Sequence, residues 1–555
     1  MFSDPVVGND FFGRQEILDL LLKRATALKS GYRQNVAIIG HQQLGKTSVL
    51  RHFLYTLNDP QILSVYVEIK LQSLDYFVDQ FIRSLLFQYL IQTMTVNPAQ
   101  SLEKLESAAQ SSIPKTVART REIAHLLKSR RAEEAYSKLF ELTSVIKEET
   151  GKNCIVILDE FHRLGEFGVK HAFSDFGKRI MVQKDTMYLL SSSSFSASRK
   201  ILAEKLSLLF GNFERIYLEN FDFKTSFAFV DKKMQALSIG EGFKNYLVSF
   251  TDGHPFFLET ITSRLREWCL AADQKEVTGQ VLAEVFYRLF YESQGVLNQY
   301  FMKLISPWTQ PRSRGRHLLI LAQIARGRNR LKDIAAALNM SQKEASSQIQ
   351  ELMDYELLVK TGVFYRFHNK IFKFWLREVY ERKELSILGA RGKNEAFLTA
   401  VCQAIREHEQ ILAMGLVSRV ENLFSEFRND LVEFGEKKRK LPHFTEFLKP
   451  LESAPTPGQN ARKIVARGHG RCWICQITEE RVTEKQVMDL VRGVSSTDPV
   501  HTKVFLALGG LDENAKLLAK EKHVLTLGLS RVNLLMDLYG MPPIILHESP
   551  SSGLR

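Results

Sequence analysis

The chain is short of cysteine: five in 555 residues, an odd number. That excludes a disulfide scaffold as the source of stability. It also lacks any apolar run of about 18 residues or more, so no membrane-crossing helix is expected. The opening stretch, "MFSDPVVGND", lacks a basic region followed by an apolar one, so a secretory signal is not expected either. Internal repeats and low-complexity tracts are missing, which argues against solenoids and disordered tails. A cytoplasmic location and no membrane contact are the expectations.

What is present is an ordinary soluble mixture, 45% hydrophobic and 25% charged. Its length suggests about three to five domains. The net charge is +13. This favours a polyanionic partner, but bears on non-specific association and not on fold.

Residues 1–235 alternate strand-like runs, at Val36–Ile39, Ser64–Ile69, Cys154–Leu158 and Met187–Leu190, with helical periodicity, as at Ser73–Gln92 and Ala132–Ile146. That pattern predicts a mostly parallel sheet covered by helices. The stretch Gln100–Lys128 is polar and is expected to be partly mobile. Residues 236–305 read as an all-helical lid. Residues 306–385 give three short helices, "HLLILAQIARG", "RLKDIAAALNM" and "SQKEASSQIQELMDYELL", and then a hairpin around Thr361-Gly362. The third helix begins at a capping box, Ser341 with Glu344. This is the layout of a winged helix. Residues 386–451 are expected to be a helical connector. After the linker-like "ESAPTPGQNARK", residues 452–555 read as a second, smaller α/β unit. The fold class is thus α/β: a P-loop parallel sheet with helical lid, winged helix and a second small α/β domain.

Gly40–Thr47 matches G-x-x-x-x-G-K-[ST], after a strand-like run and before a helical one. Backbone N–H groups of Gln42, Gln43, Leu44, Gly45 and Lys46 would cradle phosphate oxygens, with Gly40 and Ser48 flanking them. The following helix N-terminus adds partial positive charge. Gly45 would let the backbone come close. Lys46 would reach the β- and γ-phosphates, and Thr47 would offer its hydroxyl to Mg²⁺. The plain alternative is a Gly turn between ordinary elements.

The second half of such a site is acidic, at the end of a buried strand. "CIVILDEFHRL" supplies it. Asp159 would complete the Mg²⁺ shell and Glu160 would polarise the attacking water; the plain alternative is an acidic helix cap. "YLLSSSSF" ends another strand, where Ser191 or Ser192, with Ser192 preferred, would meet the γ-phosphate or the water. A loop of serines without a role fits the same letters.

These residues carry a resemblance. "FFGRQEIL", just before the loop, resembles the lead-in of AAA+-like ATPases of the archaeal-ATPase and STAND type. "FTDGHPFFLE" resembles their Gly-x-Pro motif, with Gly253 and Pro255 in matching places. The winged-helix stretch through "YRFHNKIFKFWLR" also looks like the module that comes after the lid in that family, although this chain has Asn369 where an Asp is usual. The resemblance covers roughly residues 1–380. It implies ATP and Mg²⁺ as cofactors, Arg14 near the adenine, Pro255 near the nucleotide, and an arginine supplied across a subunit interface of a homo-oligomer. Arg215 is preferred for that role, with Arg179 and Arg199 as alternatives.

The third helix of the winged module carries Glu344, Glu351, Asp354 and then Glu356, a poor match to phosphates. The stretch before it carries Arg312, Arg314, Arg316, Arg326, Arg328 and Arg330, which would touch a DNA backbone without reading bases. Contact with double-stranded DNA and intramolecular docking stand equal. The C-terminal unit resembles, in element order, a PD-(D/E)xK nuclease-like fold. However, Gln476 and Thr478 stand where Glu and Lys are needed, and no Asp precedes them, so an inactive domain is expected. Cys472 and Cys475, with His469, His501 and His523 in reach by sequence, leave zinc, redox chemistry and packing open, with packing preferred. The run Lys437–Lys440 reads as a solvated face. The expected function is ATP hydrolysis whose nucleotide state controls DNA-associated assembly. The alternatives are a DNA-binding regulator with slow hydrolysis, an ATP-driven protein-interaction switch, and, against the sequence, a nuclease.

Overall fold

The computed structural model describes residues 4–70, 73–93, 97, 100–206, 213–309, 315–384, 390–435, 437–448, 462–468, 470–492 and 501–546. Two compact units are present: Met1–Thr225 with His254–Phe256, and Ser226–Gly253 with Phe257–Arg555.

The first unit is built on β1 (Asn35–Ile39), β2 (Ile62–Glu68), β3 (Asn153–Asp159), β4 (Thr186–Ser192) and β5 (Phe213–Tyr217). They form one sheet in the order β2-β3-β4-β1-β5, parallel throughout. The three inner strands are buried at every position, as parallel strands with helices on both faces must be. The two edge strands alternate in exposure. One face packs Leu18, Leu21, Val49, Leu50 and Phe53 against Val36, Ile38, Ile155 and Ile157. The other packs Phe77, Phe81, Phe140 and Phe176 against Val65, Val156 and Tyr188. Asp159, Ser191 and Ser192 fall at the carboxyl ends of β3 and β4, where open α/β sheets bind ligands.

The stretch Gln100–Lys128, expected to be partly mobile, is two packed helices, Leu102–Ala109 and Pro114–Lys128. Its apolar residues are few but regularly placed, so Leu105, Ala109, Ile113 and Val117 are all buried. Glu149 caps the second helix from a distance, accepting from Lys115 N at 2.6 Å, Thr116 N at 2.8 Å and Thr116 Oγ1 at 2.6 Å. Pro114 suits the first turn because its missing N–H costs nothing there. That remote cap could not be read from local polarity.

The second unit begins with helices Glu241–Thr251, Pro255–Ala271 (whose first two residues belong to the first unit), Gly279–Phe286 and Val296–Ile305. A short parallel pair, β6 (Ser238–Ile239) and β7 (Glu276–Val277), interrupts the expected all-helical reading. The winged module comes next: helices Arg316–Ala325, Leu331–Ala337 and Gln342–Asp354, then β8 (Leu358–Thr361) and β9 (Phe364–Phe367) as an antiparallel hairpin. Ser341 caps the third helix through Glu344 N. Asn369 accepts from Ile371 N and Phe372 N and caps helix Lys370–Trp375, the local task that an Asp there would also do.

Residues 386–451 are helical only in part. Helices Ala390–Ala413 and Leu416–Ser425 give way to a hairpin of β10 (Leu431–Phe434) and β11 (Lys437–Lys440), then to β12 (Glu446–Leu448). Val432 and Phe434 alternate into a core, which is a strand period and not a helical one. β12 joins β13 (Arg462–Gly468), β14 (Arg471–Thr478), β15 (His501–Ala507) and β16 (Leu525–Gly528) in a five-stranded sheet. The first three are antiparallel and the last three parallel. Helices Glu484–Arg492 and Glu513–Glu521 cover one face around Phe505, while Leu416–Ser425 and Leu529–Leu538 cover the other around Trp473. Most of the linker-like stretch 452–463, and His469, Arg312 and Arg314, lie outside the described residues.

Candidate nucleotide site

β1 ends at Ile39 and helix Lys46–Thr56 begins at Lys46, so 40–45 form the connecting loop. Gly45 holds φ at 90° in the left-handed region, which a residue with a Cβ rarely adopts. Gln43 adopts φ of 62° without being glycine. Gln42 and Gln43 are exposed, whereas Leu44 is buried in the core beside Val49. Gly40 N–H donates to Ser192 O at 3.2 Å, tying the loop to the end of β4. Lys46 is buried, and its Nζ donates to the carbonyls of Gly40 at 2.8 Å and His41 at 2.7 Å. The ammonium therefore lies inside the loop it closes. Ser48 accepts Val6 N–H at 3.1 Å through its hydroxyl, so that group holds the N-terminal segment.

Asp159 ends β3 and is 1% exposed. Thr47 Oγ1 donates to its Oδ2 at 2.7 Å, and Tyr66 from β2 donates to the same oxygen at 3.0 Å. Ser191 Oγ donates to Oδ1. A buried carboxylate without such partners would cost several kcal/mol, of the order of 2–7 even for a neutral polar group. The Tyr66 phenol is pushed well above its ordinary pKa, first by burial and then by the Asp159 charge. It is a fixed donor.

Glu160 comes next in the chain, in the left-handed region with φ of 60°. Its Oε2 accepts from Ser193 N at 2.8 Å and Ser193 Oγ at 2.8 Å, with His162 Nδ1 at 3.4 Å. Ser192 Oγ meets His162 Nδ1 at 2.8 Å. The four-serine run is thus divided: Ser191 serves Asp159, Ser192 serves His162, Ser193 serves Glu160, and Ser194 caps helix Phe195–Lys200 by accepting Ala197 N–H. Tyr66, His162 and Ser193 were not expected from the sequence. The one signal, for Tyr66, was alternation along β2, which fixes a face but not a partner; His162 and Ser193 follow the ends of β3 and β4, where no periodicity applies.

Lys46, Thr47, Asp159, Glu160, Ser191 and Ser192 therefore converge. The other candidates make contacts of their own. Arg14, also left-handed at φ of 63°, donates to Glu219 O and stacks on Phe221 at 4.8 Å. Its pKa is lowered, mainly by burial. Nearby, Phe11 stacks on His52 at 4.1 Å. Pro255 opens helix Pro255–Ala271 and belongs to the first unit. Arg215 is exposed on the edge strand β5, in register with Ala37. Arg179 is engaged by Ser137 at 2.9 Å and Glu141 at 2.5 Å, which ties that candidate down. Arg199 lies in the short helix Phe195–Lys200.

A hard divalent cation takes oxygen donors, and Mg²⁺ in particular uses one or two carboxylates and keeps several waters. Thr47 and Asp159 fit that donor set. Among the described residues no group of three or more His, Cys, Asp or Glu could hold a metal ion. Cys475 is buried and its thiol is pushed up by that burial. Gln476 and Thr478 are buried within β14. No helix among the described residues is long and apolar enough to cross a membrane.

Among solved structures, a Walker-type ATPase of Pyrococcus abyssi is 18% identical, covering 68% of this chain and 99% of its own, with a TM-score of 0.45. The ORC2 protein of Aeropyrum pernix is 12% identical, covering 73% and 97%, with a TM-score of 0.43. The RuvB Holliday junction branch migration motor of Thermotoga maritima is 16% identical, covering 68% and 100%, with a TM-score of 0.33. At these values nothing about activity or partner passes from them to this chain. No curated protein matches the sequence. Residues 11–261, somewhat less than half of the chain, match the family model described as an ATPase domain predominantly from Archaea.

Proposed function

We propose that the protein binds ATP with Mg²⁺, hydrolyses it, and uses its nucleotide state to control a DNA-associated assembly. The observation that carries the first part is the Thr47–Asp159 hydrogen bond, which joins two oxygen donors from distant sequence at 2.7 Å. Loop N–H groups from Gln42 to Lys46 bind and orient the phosphates, and Lys46 exchanges the carbonyls of Gly40 and His41 for phosphate oxygens. Bound Mg²⁺ would supply charge neutralisation at the phosphates. Thr47 and Asp159 would hold it. Glu160 takes the proton of the attacking water, and Ser191 keeps Asp159 oriented. Arg215, exposed on the edge strand β5, would be the arginine supplied to the site of a second copy.

The DNA-associated part rests on the charge of +13 and on the exposed cations of β11. The winged helix itself serves as a docking module. Its third helix is engaged by its first, with Arg316 on Glu344 and His317 on Glu351 at 2.9 Å. Arg326 pairs with Glu381, Arg328 with Gln323, and Arg330 with Asp430. The C-terminal sheet is read as an inactive relative of nucleases, since Gln476 and Thr478 are buried and not acidic.

A second reading, slow hydrolysis in a DNA-binding regulator, is favoured by one contact. The Glu160 carboxylate accepts both hydrogen bonds of Ser193, which draws it away from a water. The test is steady-state ATP hydrolysis with and without duplex DNA, beside Glu160→Gln. A rate raised by DNA and lost in the variant supports the proposal. A rate indifferent to DNA moves the function to a protein partner.

A further inference from the structure

We propose that the hairpin β10–β11, and not the winged helix, is the surface that meets the phosphate backbone of duplex DNA. This rests on the proposed function, in which the chain works on DNA.

Two independent observations lead there. The first is that the wing is covered. Its turn at Gly362 abuts Leu431: a Cβ at Gly362 would lie 2.0 Å from Leu431 O. Val363 N donates to Leu431 O at 2.9 Å. Phe364 is fully buried against Tyr539 at 5.4 Å, and Arg330 stacks on it at 4.7 Å. Asn329 Nδ2 donates to Leu538 O at 2.8 Å. The wing is thus an internal element, sealed by the C-terminal domain.

The second is what the sealing element carries on its outer edge. β11 is Lys437, Lys438, Arg439 and Lys440, and all four are exposed, so both faces of the strand are wet. Its partner β10 does the packing, with Val432 opposite Arg439 and Phe434 opposite Lys437. Arg531, also exposed, lies over the Phe434 ring at 5.9 Å and adds a cation on that face. Only Lys438 has a carboxylate partner among the described residues, Glu433 at 3.2 Å. A plain solvated edge would discourage strand pairing with one or two lysines. Four consecutive cations, with a fifth set on the inner face, exceed that need. Successive residues of an antiparallel ribbon are about 3.4 Å apart, the same as the spacing of about 3.4 Å per charge along the axis of each DNA strand. The register offers no base-reading side chain, so the contact is sequence-independent.

The test uses the full chain with a fluorescent duplex DNA, titrated across salt concentrations. The variant Lys437→Gln/Lys438→Gln/Arg439→Gln/Lys440→Gln keeps side-chain length and removes the charge. The control Lys485→Gln/Lys516→Gln/Lys520→Gln/Lys522→Gln removes as much charge from helices Glu484–Arg492 and Glu513–Glu521 and the residue after the latter, which cover the separate five-stranded sheet. The expected result is an affinity about 100-fold lower near 0.1 M salt and a log–log salt slope shallower by about 3, with the control within a few-fold of the parent chain. Basal ATP hydrolysis without DNA reports folding and stays unchanged. Should the quadruple variant fail to fold, Arg439→Gln alone is expected to flatten the slope by about 1. Parent-like binding by the variant overturns the ribbon and leaves the functional reading standing. No binding by the parent chain overturns the DNA part of that reading and this surface with it. Loss confined to anionic vesicles or polyglutamate, with DNA binding intact, assigns the ribbon to another polyanion and overturns the proposal.

Discussion

Thr47 Oγ1 donates to Asp159 Oδ2 at 2.7 Å, joining the helix that opens after β1 to the carboxyl end of β3. Thr47→Ala and Asp159→Asn each remove one oxygen donor or its charge. Hydrolysis is expected to fall by about 10²–10³. The dependence of nucleotide affinity on Mg²⁺ is expected to weaken, measured by calorimetry with and without chelator. Lys46→Ala is expected to weaken nucleotide binding itself by about 1.5–3 kcal/mol, since a charge-assisted hydrogen bond is lost.

Glu160→Gln is expected to retain ATP binding and lose about 10²–10⁴ in turnover, the usual contribution of a positioned base. Ser193→Ala separates the two readings of rate. Ser193 donates twice to Glu160, and its hydroxyl bond at 2.8 Å disappears in the variant. If that bond restrains the base, single-turnover hydrolysis rises several-fold. An unchanged or lower rate would mean that Ser193 orients Glu160 productively.

Gly362→Ala forces a Cβ onto Leu431 O and asks alanine to hold φ of 68°. A destabilisation of about 2 kcal/mol or more is expected. Chemical denaturation read by tryptophan fluorescence checks it, because Trp473 lies in the core that includes Val432 and Phe364.

Asp430 binds Arg330 through two bonds, at 3.0 and 2.9 Å, and accepts Tyr539 O–H at 2.8 Å. Removing one partner of a largely buried pair leaves an unmatched charge. Asp430→Ala is expected to cost about 3 kcal/mol, and Tyr539→Phe about 1. A double-mutant cycle on Arg330 and Asp430 measures the coupling. A near-zero value would show that the wing is held by packing alone.

His408 is buried against Tyr246 at 5.4 Å. Burial, and secondarily the charge of Arg419, lowers its pKa from 6.5 to about 4. The folded state therefore holds the ring neutral while the unfolded chain takes up a proton first. Its contribution to stability is fully present above pH 6.5 and is lost as pH falls from 6.5 toward 4. The melting temperature is expected to drop across that window, and His408→Phe to flatten the drop. A parallel curve for the variant would assign the loss to other groups.

Much of the site was legible in the letters because its chemistry is local. A Gly-rich turn that ends in Lys-Thr needs only neighbours in sequence, and an all-apolar strand ending in Asp-Glu announces a buried acid. The sheet was legible for the same reason, since each inner strand is a continuous apolar run. Resolution ended where partners are distant. "SSSS" gives four equal hydroxyls. Only the tertiary structure, with β4 beside β1 and β3, assigns Ser191 to Asp159, Ser192 to His162 and, just past the strand end, Ser193 to Glu160. Polarity made 100–128 look loose, yet Glu149 caps it from another helix.

The sequence by itself determined a phosphate loop, an acidic strand end and a helix–helix–helix–hairpin module, because capping, turns and periodicity act within a few residues. The tertiary structure alone decided that Tyr66 serves Asp159 and that the wing lies under Leu431 and Tyr539, leaving Lys437–Lys440 outside. Those outcomes depend on which backbone atoms meet across long separations, and a carbonyl that fits against one glycine leaves no periodic mark in the chain.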